Sequence, residues 1–448
     1  MKTSSVSRAA KSIERTYYLL LGLFWLATGL PIATGYLLAQ ARGLDLFQLG
    51  LVLAAYSLTI VLLEVPTGGL ADAVGRKRVA LLAYTCALLA SVSFVFALSF
   101  PAMLLAFVLN GVGRALASGA LDAWFVDSFQ AADPNAKLQA ALARAGSVSL
   151  LALAVGSLLG SALPRLFAGL GPEGTGVLTP LATPLVASAV AWIILVTLAA
   201  LLVREGAPPA GAPARTRSWR EGARRVPGMI RTGLALSRRN PTILRLLAIS
   251  FASGLVLVSL EALWQPHFAG LLGGSEGRSL LFGLIMGGNF IAGTAGNLLS
   301  TPLLRLLKGR YGLVAALFQG LRGVGLVLLA LQVAPVPAVL LFWWVYLGMG
   351  VVNSPHATLM NAQIPAEHRS SMLSIESLVA YLGSILGSAG LSYLAEQTSV
   401  GVAWFAGGVI VVLSLGLYLS IDALPRGEEE RHVARLTLVE PDQAPDAG

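Results

Sequence analysis

The stretch Gly68-Gly69-Leu70-Ala71-Asp72-Ala73-Val74-Gly75-Arg76-Lys77-Arg78 lies between two long apolar runs and decides how the chain is read. The runs, 46–70 and 79–99, are each long enough for the hydrocarbon core, which about 20 apolar helical residues cross. Gly68 and Gly75 permit a tight turn and close backbone approach. Asp72 is an acid able to face the positive end of a neighbouring helix. Arg76, Lys77 and Arg78 hold their connection on the cytoplasmic side, where positive residues collect. Two membrane helices joined by a short charged loop are expected here.

The rest of the chain repeats the first half of that pattern. Of 448 residues, 56% are hydrophobic and 12% charged, against about 25% charged in a soluble domain. Mean hydropathy is +0.76. These values describe an integral membrane protein and exclude a disordered chain, which needs low hydrophobicity and high charge. Twelve candidate spans follow, at 16–39, 46–70, 79–99, 101–125, 138–163, 181–203, 242–268, 279–304, 312–333, 337–361, 371–396 and 402–421. The first is too long for a signal peptide's apolar core and lacks a small-residue cleavage site, so it is expected to stay. Cys86 is the single cysteine, which excludes an intramolecular disulfide.

Charge placement orients these spans. With the N-terminus cytoplasmic, only Arg42, Arg165 and Arg278 of the 31 Lys and Arg residues fall on outside loops. Arg114 and Arg322 lie inside spans, and all others are cytoplasmic. Both termini are therefore expected inside the cell. The net charge of +9 then reflects topology and anionic lipid headgroups rather than nucleic-acid binding.

A break after the sixth span divides the chain. Residues 1–203 and 242–421 would each form a six-helix bundle, joined by a basic cytoplasmic linker at 204–241 with a disordered tail at 422–448. The linker opens with Pro- and Gly-rich sequence and continues, at 218–239, as an amphipathic surface helix. Gly156-x3-Gly160 in span five and Gly383-x3-Gly387 in span eleven are matching faces for close helix approach. Gly111 and Gly348 also match, in spans four and ten. The expected fold is all-α, with twelve transmembrane helices in two pseudo-symmetric bundles and a site between them near the midplane.

The opening stretch also resembles the Gly-x-Leu-Ala-Asp-Arg-x-Gly-Arg-Arg/Lys-Arg/Lys motif of the major facilitator superfamily. Gly68, Leu70, Ala71, Asp72, Gly75, Arg76, Lys77 and Arg78 match, whereas Ala73 replaces the family's arginine. The resemblance implies a gate on the cytoplasmic side. Asp72 would face the start of span eleven near Ser371 and Arg76 would pair with Asp127 at the end of span four, while Glu64, by its position alone, either joins the same network or is a snorkelled or water-exposed acid at the interface. It also implies that spans one, four, seven and ten line a cavity.

Ionisable residues inside a membrane usually face a cavity or a partner, because burying them in lipid costs about 2.5–3.5 kcal/mol on insertion scales. Span four carries Arg114, Ser118 and Asp122; on one continuous helix Arg114 and Asp122 would differ by about 80° and border one cavity. Arg114 suits an anionic or carbonyl group, or else pairs with an internal acid. Glu261 in span seven is expected to exchange protons, or else to sit solvated at the outer mouth. Trp264, Asn289, Asn353 and His356 complete the expected pathway, with Asn297, Glu376 and Tyr381 as weaker members. Trp343 and Trp344 read as an interfacial aromatic belt, and Arg322 as a snorkelling or packing residue.

Other chemistry finds little support. There is no Gly-x4-Gly-Lys-Ser/Thr loop for ATP, since the nearest string, beginning at Gly273, lacks the lysine. His356 has no partner at metal-ligand spacing, so neither metal nor cofactor is expected. The superfamily's antiporter signature is only echoed: Gly156 and Gly160 fit, Ser161 replaces its proline, and Gly146 is one place early. The expected protein is no enzyme but a monomeric multi-pass transporter of the bacterial cytoplasmic membrane, driven by a proton gradient and acting on a small molecule. Efflux of an amphipathic compound is expected first, and uptake of a small anion or nutrient second. A non-transporting receptor with the same fold is the alternative of another class.

Overall fold

The computed structural model describes residues 7–421 apart from 135, 137, 175, 205–227, 229–230, 232, 234, 275–276 and 365–368. It leaves undescribed the side chains of 65–66, 68–73, 140, 143 and 369–371. The first half contains α1 (Arg8–Gly29), α2 (Gly35–Ala41), α3 (Leu46–Val74), α4 (Arg76–Phe96), α5 (Phe100–Ala117), α6 (Ala120–Ala132), α7 (Leu138–Leu166) and α8 (Thr183–Leu202). The second contains α9 (Pro241–Leu272), α10 (Ser279–Leu306), α11 (Tyr311–Ala330), α12 (Pro335–Gln363), α13 (Arg369–Gln397) and α14 (Val400–Leu419). Among the described residues, eleven helical stretches are long and apolar enough to cross a membrane, and no strand occurs.

Local chemistry sets several boundaries. Asp45 and Gln48 form a reciprocal capping box at the start of α3, with the Gln48 N–H donating to Asp45 Oδ1 at 2.7 Å. The Asn240 side chain accepts from the Thr242 N–H to start α9, and Gly273 ends that helix with φ +70°.

Three sequence expectations need correction. The run 16–39 is not one helix: α1 stops at Gly29, residues 30–34 turn around Pro31, and α2 restarts at Gly35. Proline has no N–H for the helix ladder, which is why the chain breaks there. The run 101–125 is also broken, at Ser118 and Gly119, where Gly119 adopts φ +77°. The charged stretch 68–78 is not a loop. Helix α3 continues through Gly68 to Val74, Gly75 alone makes the turn at φ +104°, and α4 begins at Arg76. The amphipathic helix expected at 218–239 lies largely outside the described residues, although 235–239 is helical. The tail at 422–448 lies outside them altogether.

Helices α1–α8 pack on one another, as do α9–α14, with the halves meeting chiefly through α3 with α13 and α7 with α10. The two glycine pairs play equivalent parts. A Cβ on Gly156 or Gly160 would collide with the Leu26 carbonyl of α1 or the Leu30 carbonyl just beyond it, and one on Gly383 or Gly387 with the Phe251 or Leu255 carbonyl of α9. The junctions between halves repeat this logic. Gly50 of α3 meets Ser388 and Ser392 of α13, and Gly283 of α10 meets Ser157 and Ser161 of α7. All four helices make these contacts at the face opposite the termini, the distal face. One apolar core lies within each half, and a third, with Leu37, Leu49, Trp264 and Phe268, joins the halves distally.

Candidate functional site

Where the halves meet, two cavities share a wall. The larger, about 660 Å³, is lined mainly by the second half and reaches toward the terminal face. The smaller, about 270 Å³, lies distally and is lined by Thr28, Tyr36, Phe107, Asn110, Trp192 and Trp264 among others. Leu53, Tyr56 and Glu261 line both.

Glu261 thus stands at the waist. It lies eleven residues before the distal end of α9, roughly 16 Å along the axis at 1.5 Å per residue, so it is not at the outer mouth. Tyr36, Tyr56, Tyr346 and Tyr381 surround it within electrostatic reach. Among the described residues it has no ion-pair partner.

Deeper in the larger cavity, four helices converge on His356. Its Nε2 lies 2.8 Å from Glu376 Oε1 of α13, and its Nδ1 lies 2.6 Å from the Tyr418 hydroxyl of α14. The Ser250 hydroxyl of α9 donates to Glu376 Oε1 at 3.1 Å and lies equally close to His356 Nε2. Arg322 of α11 lines the same space. It is buried, and its Nη2 donates to Ser253 Oγ at 3.4 Å. It is therefore a chamber residue rather than a lipid-facing one. Sequence reading missed this because periodicity does not say which side of an apolar helix meets its partners.

The expected pathway is otherwise redistributed. Asn353 lines the larger cavity and Trp264 the smaller. Asn289 is buried outside both, its Nδ2 3.9 Å from Met286 Sδ. Arg114, Ser118 and Asp122 border neither cavity. The break at 118–119 removes the helical phase that would have aligned Arg114 with Asp122. Asp122 instead accepts from the Tyr17 hydroxyl at 2.7 Å, and Ser118 Oγ donates to the Ala115 carbonyl. Arg114 lies in electrostatic reach of Glu64, Tyr56 and Tyr381. The buried Oε2 of Glu64 has no hydrogen-bond partner among the described residues. The Trp343 indole N–H donates to the Ile285 carbonyl, 2.8 Å away, which makes it a packing bond between α12 and α10 rather than part of a belt. Tyr36, Tyr56, Tyr346 and Tyr418 were not anticipated; single tyrosines in apolar runs were their only signal.

On the terminal face, Arg76 Nη1 meets Asp127 Oδ2 at 2.5 Å and also donates to the Ala123 carbonyl. Lys77 Nζ donates to the Ala200 carbonyl at 2.6 Å, and Arg78 is exposed. The side-chain surroundings of Gly68, Asp72 and Ser371 lie outside what is described. Among the described residues no three His, Cys, Asp or Glu residues are grouped to hold a metal.

A model of the Major Facilitator Superfamily matches residues 17–354. The chain belongs to this superfamily. No curated protein matches it significantly. Among solved structures, a mutant of the nucleoside transporter NupG aligns over 92% of this chain and 99% of its own at 15% identity, with a TM-score of 0.71. The xylose transporter XylE from E. coli, in a partially occluded inward-open conformation, aligns over 93% and 99% at 14% identity and 0.65. A bacterial homologue of the human lysosomal transporter Spinster, inward-facing and unoccupied, aligns over 96% and 99% at 13% and 0.69. At such identities these neighbours share the superfamily fold alone. The fold also bears on one stray motif. Gly273-Gly-Ser-Glu-Gly277 has the Gly-x-Ser-x-Gly spacing of serine hydrolases, but it joins two helices of a superfamily bundle instead of a strand and a helix, the context that motif needs.

Proposed function

We propose that this chain is a secondary transporter of the bacterial cytoplasmic membrane, with both termini inside the cell, that exports a small amphipathic molecule in exchange for protons by alternating access. Glu261 carries the reading. A carboxylate at the waist of a mostly apolar chamber, with no ion-pair partner among the described residues, takes either a proton or a cationic group of the substrate. Competition for that one site is what exchange requires. Phenol groups around it offer hydrogen bonds, and the distal cavity offers Trp192, Trp264 and Phe107 to an apolar body. The distal contacts hold one face closed while the Arg76–Asp127 region holds the other during the opposite phase.

Arg322 supports a second reading, uptake of a small anion, because its permanent charge is available to an anionic group. Proteoliposomes loaded with a pH dye separate the two. Tetraphenylphosphonium and a panel of small carboxylates are offered to wild type and Glu261→Gln. Proton flow opposite to solute flow, lost in Glu261→Gln while binding persists, supports export. Co-directional flow of protons and a carboxylate supports uptake. Binding without any flux sinks both and leaves a receptor.

A further inference from the structure

The cluster around His356 is more than a tie between helices. Its side chains keep 13% (His356) and 19% (Glu376) of their surface exposed, into the chamber they line, so water or a ligand reaches them. Four helices each give one group, and each group bonds to the next: Ser250 from α9, His356 from α12, Glu376 from α13 and Tyr418 from α14. Burying a charge pair is rarely a gain over apolar packing of equal size. Stability alone is therefore a poor account of a pair on a chamber wall.

Charge balance indicates a use for it. Beside His356, the acids and bases lining the larger cavity are Glu261, Glu376 and Arg322, taken here with both carboxylates charged. With His356 neutral they leave one negative charge in excess, and a proton on His356 removes it. Imidazole is the side chain whose charge ordinarily changes near neutrality. The groups facing it are Glu376 and, farther along α13, Tyr381; Tyr418 from α14; Arg322 from α11; and Ser250 from α9. Glu376 Oε1 lies 2.8 Å from His356 Nε2, and Arg322 lines the same chamber. Glu261 is a different site. It lies eleven residues along α9 from Ser250, roughly 16 Å by helical rise.

We propose that His356 and Glu376 form a second proton-holding site, independent of Glu261, so that the chamber carries two exchangeable protons rather than one. Their use in transport rests on the proton-coupled reading above; their capacity to hold a proton does not. On that reading, one proton competes with substrate at the waist while the other resets the charge of the terminal-side wall.

The site is tested without any substrate. The full chain, labelled with 15N-histidine in lipid nanodiscs, is titrated by NMR between pH 4.5 and 9, with the His356 signal assigned by its loss in His356→Gln. In Glu376→Gln the His356 midpoint is expected to fall by about one pH unit or more, a tenfold loss of proton affinity typical of removing an adjacent opposite charge. Glu376→Asp restores part of it, and Glu261→Gln leaves it in place. Tyr418→Phe, which keeps the carboxylate, moves the Nδ1 signal and covers the case in which Glu376→Gln does not fold. An unchanged midpoint in Glu376→Gln overturns the proposal, as does a His356 that does not titrate in this range. An equal shift in Glu261→Gln also overturns it, by showing one coupled site. Absence of proton flux in proteoliposomes would overturn the transport reading and leave the site standing.

Discussion

Gln265 of the second half completes the backbone of a broken helix in the first: its Oε1 accepts from the Tyr36 N–H at 3.0 Å. The same oxygen accepts from the Leu37 N–H at 3.0 Å, and Nε2 donates to the Ile32 carbonyl at 2.8 Å. The first N–H groups of a helix lack partners within it, and here a fully buried amide from the opposite half supplies them. Opening the distal face breaks all three bonds. At about 0.5–1.5 kcal/mol each, their loss in Gln265→Ala should move the balance toward the distal-open state by tenfold or more. In a Cys86→Ala background, a cysteine replacing Ser388, which is buried against Gly50, should then react faster with a water-soluble maleimide. Equal labelling rates with and without Gln265 would remove the latch.

The paired glycine faces predict paired defects. Gly160→Ala and Gly387→Ala each force a methyl group into a facing backbone carbonyl. Overpacking of that kind costs about 1–3 kcal/mol. Gly416→Ala meets nothing within 4 Å and sits in helix α14, where alanine is preferred by about 1 kcal/mol. Thermal unfolding in detergent should show the first two variants destabilised to similar extents and the third unchanged or stabilised. A destabilised Gly416→Ala would count against packing as the cause.

The contrast between these two cases shows what sequence carries. Apolar run length and the small-x3-small spacing are local properties, so the all-helical membrane bundle and the close-packed faces of Gly156 and Gly383 are legible. The Arg76–Asp127 contact was reachable only through the resemblance. Rotation of a helix about its axis is decided by partners far away in sequence. That is why snorkelling and packing both stood open for Arg322, why Asp122 reads as bordering a cavity, and why Tyr36, Tyr56 and Tyr346 beside Glu261 show only as single tyrosines in apolar runs. The break at Pro31 was visible as a residue, but what fills it, Gln265, comes from 229 positions away in the case of Tyr36.

Arg42, at the C-terminal cap of α2, is a stability determinant. Nη1 donates to the Phe94 and Ala97 carbonyls at 2.8 and 3.0 Å, and Nη2 to Val95 and Val177 at 3.0 and 2.9 Å. The fork satisfies the last carbonyls of α4 and complements the negative end of its dipole. Lysine, a point charge without that planar fork, cannot hold all four. Arg42→Lys should therefore lose most of what Arg42→Ala loses, about 2–3 kcal/mol by the worth of charged hydrogen bonds. A lysine variant as stable as wild type would show that charge alone suffices.

Arg76 and Asp127 should be coupled only modestly in stability. The pair is short, but Asp127 is 56% exposed, and solvent screening holds such pairs to roughly 0.2–1 kcal/mol. A double-mutant cycle of Arg76→Ala and Asp127→Ala, read by unfolding, checks this. A coupling of several kcal/mol would mean that the pair is shielded by groups outside the described residues.

Asp122 and Glu261 separate the embedded acids by environment. Asp122 is exposed outside both cavities, bound by Tyr17, whose ring stacks on Phe125 at 4.0 Å. That bond ties α1 to α6 just beyond the break at Gly119, which makes Asp122 a brace for the second segment of an interrupted span. Glu261 lines both cavities and has no charged partner among the described residues. Asp122→Asn keeps an acceptor for the tyrosine hydroxyl and should leave solute-driven proton flux at the wild-type level. Tyr17→Phe and Asp122→Asn should lower thermal stability by no more than one hydrogen bond, about 0.5–1.5 kcal/mol. Glu261→Gln should abolish flux with the fold intact. If Asp122→Asn instead stops proton movement while unfolding is unaffected, the proton path runs through α6, and the chamber waist is not where coupling occurs.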